Sequence, residues 1–98
     1  HGASMVVREL VWKSTFVEKI RTKHGVTQAE VREALGQPLK VRRAERGRVR
    51  GEDLYTAFGR TGAGRYLTIG FILKKSARAL IITARDMTDA ERRFYGKR

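Results

Sequence analysis

The carboxyl-terminal third of the chain constrains its fold most, because a short apolar segment there runs directly into a helix signal. Leu80-Ile81-Ile82 is short and rich in β-branched residues, as expected of a buried strand. Thr88 and Glu91 have the spacing of a capping box, in which each side chain satisfies a free backbone N–H group at the start of a helix. The sequence therefore predicts a last strand over residues 79–85 and a closing helix over residues 88–95. The charged and aromatic residues of this corner form a set suited to binding phosphate: Arg85, Glu91, Arg92, Arg93 and Tyr95.

Two further helices are predicted in the amino-terminal half. The first begins at Ser14 or Thr15 and ends before Gly25, a residue suited to the left-handed conformation that terminates many helices. The second is followed by Gly36 and Pro38, which end it. Capping-box spacings mark both starts, Thr15 with Glu18 and Thr27 with Glu30.

The remaining segments alternate between apolar and polar residues, as strands do. Strands are predicted over residues 6–12, 39–42, 54–58, 65–73 and 79–85. In the fourth of these, Leu67, Ile69, Phe71 and Leu73 fall on one face. The order β-α-α-β-β-β-β-α predicts an α+β fold with a four- to five-stranded, mainly antiparallel sheet, two amino-terminal helices and one carboxyl-terminal helix. We expect the helices to cover one face of the sheet.

A glycine-rich segment, Gly59 to Arg65, separates two of these strands. It lacks the spacing of a phosphate-binding loop and is followed by a strand rather than a helix. A hairpin turn with glycine at positive φ explains it better. Arg60 and Arg65, at its two ends, are placed to reach a substrate.

Composition limits the possible functions. The formal net charge of +12 is typical of proteins that meet a polyanion, most often nucleic acid. The chain has no cysteine, which excludes disulfides and thiolate metal sites, and no apolar stretch long enough to span a membrane. We interpret residues 1–4 as a cloning scar and residues 5–98 as a single domain. His24 is then the only natural histidine, which excludes a ribonuclease mechanism with two histidines, and no cofactor or metal site is expected.

A run of basic residues between Lys40 and Arg50 is the strongest local charge in the sequence. Arginine matches phosphate oxygens in pairs, so a basic hairpin here suits a nucleic-acid backbone. A solvated loop and a docking surface for an acidic protein are the alternatives. The arginines of the run that we predict to bind RNA are Arg42, Arg43, Arg46, Arg48 and Arg50.

Arginines close to a carboxylate also allow cleavage of RNA without a metal. The 2′-hydroxyl would attack the neighbouring phosphate while arginines or lysines stabilise the developing charge. Glu91 is a candidate base, held ionised by nearby arginines, or a residue that only closes the capping box. Arg85 ends a buried strand and needs a partner, which is either substrate or a salt bridge to Asp86, Asp89 or Glu91.

Four aromatic residues have polar tips: Trp12, Tyr55, Tyr66 and Tyr95. Packing in the core or at its rim is the commoner role for such residues. Base stacking would require one or two of them on an exposed face of the sheet.

With these residues in view, the chain resembles the BrnT family of toxins from bacterial type II toxin–antitoxin modules. The resemblance covers residues 11–95 and rests on Lys23-His24-Gly25-Val26, on the segment from Gly59 to Leu67, and on Ile82-Thr83-Ala84-Arg85 followed by Glu91-Arg92 and Tyr95. Departures from the family pattern fall at Lys13-Ser14, Ile20 and Leu54. The resemblance implies a RelE-like ribonuclease fold, an antitoxin partner encoded alongside, and growth inhibition by metal-free cleavage of RNA in the cytoplasm.

Site residues follow from the same motifs. The resemblance assigns the leading active-site positions to Lys23, Arg65, Arg85 and Glu91, with Arg92 in support. We predict that Arg92, and Arg60 at the end of the glycine-rich segment, bind RNA. Three hypotheses remain open at this point. They are an RNA-cleaving toxin with a small DNA-binding antitoxin, a non-catalytic basic module that binds RNA or ribosomes, and a divergent member that mainly docks an acidic antitoxin.

Overall fold

The computed structural model describes residues 7–36, 40–45 and 53–97, and the side chains of all these residues except 43–45. The elements are β1 (Glu9–Val11), α1 (Ser14–His24), α2 (Gln28–Gly36), β2 (Lys40–Glu45), β3 (Leu54–Arg60), β4 (Tyr66–Lys74), a 3₁₀ turn (Lys75–Ala77), β5 (Arg78–Asp86) and α3 (Asp89–Gly96). This sequence of elements confirms the predicted α+β order. No helix within the described ranges is long and apolar enough to cross a membrane.

The five strands form one mixed sheet in the order β1-β5-β4-β3-β2. The strands β2 to β5 pair antiparallel with their neighbours, and β1 pairs parallel with β5. Because β1 and β2 lie at opposite edges, α1 and α2 form the connection that crosses the sheet. The prediction of a four- to five-stranded, mainly antiparallel sheet is confirmed.

The core lies between α1, α2 and one face of the sheet, which we call the helix face. Leu67, Ile69 and Phe71 point to this face from alternate positions of β4, as predicted. They are buried in one cluster with Ile20 of α1 and Val31 of α2. Hydrophobic burial on this side therefore fixes the register of β4, because a shift by one residue would expose every one of these side chains.

The third helix packs on the opposite face, which we call the α3 face. Phe58 follows the core residue Ala57 in β3 and so points away from the helix face. Its ring meets that of Phe94 of α3 edge to face, at 5.3 Å between centroids. The expectation that all helices cover one face is therefore wrong. The sheet alternation places aromatic residues on both faces, and α3 covers only part of the second one.

A tight turn connects β3 and β4, as predicted for the glycine-rich segment. Thr61 donates its backbone N–H to the carbonyl of Arg65 at 2.9 Å, and Gly64 donates to the carbonyl of Thr61 at 2.9 Å. Gly64 has a φ of +93°, a value that residues with a Cβ atom rarely adopt. The segment is a turn and not a phosphate-binding loop.

Candidate functional site

The start of α3 positions the first functional side chain. Glu91 donates its backbone N–H to the hydroxyl of Thr88 at 3.1 Å, and Thr88 donates its backbone N–H to Glu91 Oε1 at 2.9 Å. The predicted capping box is therefore present. It holds the carboxylate of Glu91 at the first turn of the helix, over the α3 face of the sheet.

Arg85 of β5 forms a two-pronged ion pair with this carboxylate. Arg85 Nη1 and Nη2 donate to Glu91 Oε1 and Oε2, each at 2.8 Å. Thr68 lies opposite Arg85 on β4, and its hydroxyl donates to Glu91 Oε1 at 2.9 Å. The side chain of Glu91 is 17% exposed and that of Arg85 is 38% exposed. The pair is thus open to a ligand mainly on the arginine side.

This arrangement fixes the charge of Glu91. The hydrogen bond from Arg85 lowers the pKa of Glu91 to about 2, with further lowering by the Thr88 N–H and the Thr68 hydroxyl, while burial acts in the opposite direction. The same hydrogen bond raises the pKa of Arg85. Both predicted features of Glu91, an ionised carboxylate beside arginine and a closed capping box, coexist in one geometry. A carboxylate with so low a pKa is a weak proton acceptor while Arg85 remains bound to it.

Next to this pair, arginines gather around an aromatic ring. Tyr66 precedes Thr68 by two positions on β4 and shares its face. The guanidinium carbon of Arg92 lies 4.3 Å from the centroid of the Tyr66 ring, and that of Arg60 lies 5.4 Å from it. Tyr95 meets the same ring edge to face at 6.0 Å. The sequence analysis considered Tyr66 only for packing or base stacking and gave Thr68 no role, although the alternation of β4 predicts that both point to the face away from the buried Leu67.

The first part of the predicted basic run also reaches the α3 face. The ammonium group of Lys40 donates hydrogen bonds to the backbone carbonyl of Phe94, at 2.7 Å, and to that of Lys97, near the end of α3. The guanidinium carbon of Arg42 lies 5.4 Å from the centroid of the Phe94 ring. The side chain of Arg43 and residues Arg46, Arg48 and Arg50 lie outside what the structure describes, so their RNA-binding role stays a prediction.

Arg65 lies on the helix face rather than beside Arg85. It donates to both carboxylate oxygens of Asp86, at 2.7 and 3.3 Å, to both oxygens of Glu30 at 3.2 Å, and to the carbonyls of His24 and Gly25 at 3.0 and 2.8 Å. The guanidinium thereby lowers the pKa of Asp86. Arg65 connects the end of α1, the start of α2 and the end of β5, and every N–H donor of its guanidinium is directed at a protein oxygen.

Lys23 is exposed near the end of α1, the helix that packs on the helix face. Within the part of the chain that the structure describes, its ammonium makes no hydrogen bond or ion pair. The four side chains predicted as an active site therefore fall into a pair, Arg85 with Glu91, and two residues on the helix side of the sheet.

The arrangement of acidic and histidine side chains in the described residues also bears on metal binding. Among them, no group of three or more histidine, aspartate or glutamate side chains converges on a point that could hold a metal ion. The carboxylates of Glu91, Glu30 and Asp86 instead face arginines.

Comparison with known proteins assigns the chain to a family. The family model for the ribonuclease toxin, BrnT, of type II toxin–antitoxin systems matches residues 12–91. No curated protein matches the chain. The matched region runs from the end of β1 to the first turn of α3, so it includes both helix-face helices, all of β2 to β5, and the Arg85–Glu91 pair. The chain therefore belongs to the BrnT family of ribonuclease toxins from type II toxin–antitoxin systems.

Proposed function

We propose that the protein is a metal-independent endoribonuclease whose reaction takes place on the α3 face, at Arg85 and Glu91. The observation that carries the proposal is the two-pronged Arg85–Glu91 pair, exposed on the arginine side and bordered by Arg60 and Arg92. Neither Arg60 nor Arg92 forms an ion pair with any described residue. An RNA phosphate therefore finds positive charge here that protein carboxylates do not already neutralise.

The chemistry follows from the groups present. The 2′-hydroxyl attacks the adjacent phosphorus, and the bond to the 5′-oxygen breaks, which leaves a 2′,3′-cyclic phosphate and a 5′-hydroxyl. Arg85 stabilises the negative charge that builds up on the phosphate oxygens. When the guanidinium of Arg85 moves from Glu91 to the bound phosphate, the pKa of Glu91 rises towards its ordinary value. The carboxylate then accepts the proton of the 2′-hydroxyl. Water supplies the proton to the departing 5′-oxygen.

Arg65 and Lys23 have no part in this scheme. The donors of Arg65 are already used to hold α1, α2 and β5 together, so we infer a structural role for it. Support for metal independence comes from the donor set, because Glu91 is bound to Arg85 and no group of three or more acidic or histidine side chains among the described residues converges on a point that could hold a metal ion.

The test is cleavage of a long end-labelled RNA in excess EDTA. We expect the parent protein to cleave it and to leave 2′,3′-cyclic phosphate ends. Arg85→Ala should lower the rate about 100-fold or more, the usual loss when one donor to a transition-state oxyanion is removed. Arg32→Ala, which removes one exposed charge on α2, is the matched control. Arg85→Lys retains a positive charge beside Glu91, and it replaces Arg85→Ala in the test if that variant does not fold. Activity that disappears in EDTA and returns with a divalent cation would contradict the proposal.

A second candidate function, RNA binding without cleavage, is favoured by the pKa of Glu91, which makes it a poor base in the resting protein. In that case RNA stays intact, is retarded on a native gel, and Arg85→Ala changes affinity little. Substitution of Arg42 should then matter more, because it removes a charge from the binding surface.

Family membership implies an antitoxin partner and an RNA substrate. We further propose that the antitoxin is a small DNA-binding protein encoded alongside, and that the chain acts in the cytoplasm, where its substrate is. Expression of the parent chain should arrest bacterial growth, and co-expression of the neighbouring gene should restore it. Arg85→Ala should be harmless on its own.

A further inference from the structure

Tyr66 holds two like charges together on the α3 face. It lies directly opposite Arg60 in the β3–β4 pairing, and Arg92 reaches it from the first turns of α3. Both guanidinium groups approach the Tyr66 ring, at 4.3 and 5.4 Å from its centroid. Attraction between a cation and the face of an aromatic ring offsets part of the repulsion between the two arginines.

These two arginines and Arg93 line a cleft that has no acidic side chain among its described walls. The cleft has a volume of about 350 Å³, and its walls are Arg60, Tyr66, Arg92, Arg93, Tyr95 and Gly96. That volume lies within the range of roughly 300–1,000 Å³ that is usual for small-molecule sites. None of its three arginines forms an ion pair within the described part of the chain, and all three are exposed. The cleft therefore has the charge and size to take an anionic group.

We propose that this cleft is a second phosphate subsite, in which the ring of Tyr66 positions Arg60 and Arg92 to bind an RNA phosphate next to the one that reacts. The inference rests on the proposed function for its placement relative to the reacting phosphate. Tyr66 and Thr68 are two residues apart on one strand face, roughly 6–7 Å. A chain bound in the cleft thus continues directly to Arg85, which lies opposite Thr68.

The role assigned to Tyr66 depends on its ring and not on its hydroxyl. Without the ring, both arginine side chains lose the contact that positions them. Ordering them when RNA binds then costs conformational entropy, which weakens binding. Because this phosphate is bound equally in the ground state and the transition state, loss of the subsite should raise KM for RNA and leave kcat nearly unchanged. If the Tyr66 hydroxyl instead transferred a proton in the reaction, its loss would lower kcat and leave KM nearly unchanged.

The experiment measures two quantities on the full chain. One is the affinity for a fluorescent RNA tetramer with 2′-O-methyl groups throughout, which cannot be cleaved by 2′-hydroxyl attack. The other is kcat and KM on a cleavable RNA. We expect Tyr66→Leu to weaken tetramer binding about 5- to 30-fold, as expected for two cation–π contacts, and Tyr66→Phe to restore most of that affinity. Arg92→Lys should weaken binding as well, since it keeps the charge but loses the planar, two-pronged group. Arg32→Ala is the charge control, and circular dichroism checks that each variant is folded.

Different results would overturn the inference. One is that Tyr66→Leu and the parent bind the tetramer with equal affinity. The other is that Tyr66→Phe binds it as weakly as Tyr66→Leu, which would assign the effect to the hydroxyl. If Tyr66→Leu does not fold, an Arg92→Lys variant with unchanged affinity also overturns it. Failure of the proposed function has another signature. The parent would then bind the tetramer in a ring-dependent manner but leave the cleavable RNA intact, and the cleft would stand as a phosphate subsite of a binding module.

Discussion

Glu91 accepts four hydrogen bonds, from both terminal nitrogens of Arg85, from the Thr68 hydroxyl and from the Thr88 backbone. Each of these donors stabilises the carboxylate in its ionised form. The free energy of the folded state therefore depends on the charge of Glu91. In the proposed function, the geometry that contributes to stability also prepares Arg85 for a phosphate.

We expect the contribution of Glu91 to stability to depend on pH. Its pKa falls from 4.5 in the unfolded chain to about 2 in the folded protein, so the stabilisation is present above the unfolded value and is lost as pH falls towards the folded one. At neutral pH it amounts to at most about 3 kcal/mol, most of which is gone by about pH 3. Urea unfolding should therefore show Glu91→Gln to be less stable than the parent at pH 7, with the difference shrinking at pH 3.

The alternative outcome is a difference between Glu91→Gln and the parent that stays constant from pH 7 to pH 3. In that case the loss would come from the neutral hydrogen bonds of the capping box and not from the ion pair with Arg85. Asp89→Asn, an exposed change in the same turn of α3, is the control for general effects on the helix start.

The sequence predicted that Arg85 and Glu91 lie close together, but it did not predict where Arg65 lies. Arg85 and Glu91 are six residues apart across one strand-to-helix corner, so local patterns bring them together. Arg65 contacts Glu30 and the end of α1 across 35 to 41 positions, and no local pattern reports such a contact. Tyr66 is an intermediate case. The alternation of β4 predicts which face of the sheet it lies on, but its contact with Arg92 depends on how α3 packs on that face.

At the scale of elements, Gly59 controls how closely α2 approaches β3. A Cβ atom at this position would lie 2.4 Å from the backbone carbonyl oxygen of Ala34 and 3.3 Å from its Cβ. Ala34 belongs to α2 and is fully buried. The helix can thus rest on the strand only where the strand has no side chain.

We expect Gly59→Ala to destabilise the fold by about 1–3 kcal/mol, because the backbone of α2 has to move away from the sheet. Gly36, at the end of α2, has no atom within 4 Å of an added Cβ. The control Gly36→Ala should therefore be neutral or stabilising by up to about 1 kcal/mol, as is usual for this change in a helix. Urea unfolding of both variants measures the difference. Equal stability of the two would show that α2 adjusts without cost.

Local spacing predicted three capping boxes, of which two form, whereas the pairing of the strands depends on packing that no local signal reports. The Thr27–Glu30 and Thr88–Glu91 capping boxes both form. The one expected from Thr15 does not, because α1 begins at Ser14 with Lys13 as its N-cap, and Glu18 binds Arg21 instead. In the same way, no pattern in β1 indicates that it pairs parallel with β5 rather than with β2.

At the scale of the whole molecule, the formal charge is +12, and the described residues place exposed cations on at least two different surfaces. On the α3 face, Arg42 and Arg92 lie over aromatic rings. On α1 and α2, exposed cations such as Lys19 and Arg32 face away from the sheet. Electrostatic attraction at long range responds to the sum of these charges, whereas phosphate contact depends on which surface touches the RNA.

Two double variants with equal net charge separate these effects. Arg42→Ala with Arg92→Ala, and Lys19→Ala with Arg32→Ala, each lower the formal charge from +12 to +10 (12 − 2). If RNA lies on the α3 face, the first pair should weaken binding of a non-cleavable RNA at least tenfold. It should also reduce the slope of log affinity against log salt by about 1.4, which is 0.7 for each lost contact with a single strand. The second pair should change affinity less than about twofold, because its charges lie on α1 and α2, which pack on the other face of the sheet, and salt screens attraction between separated charges. Equal losses in the two pairs would mean that RNA responds to total charge alone, and the α3 face would then have no special role in holding the substrate.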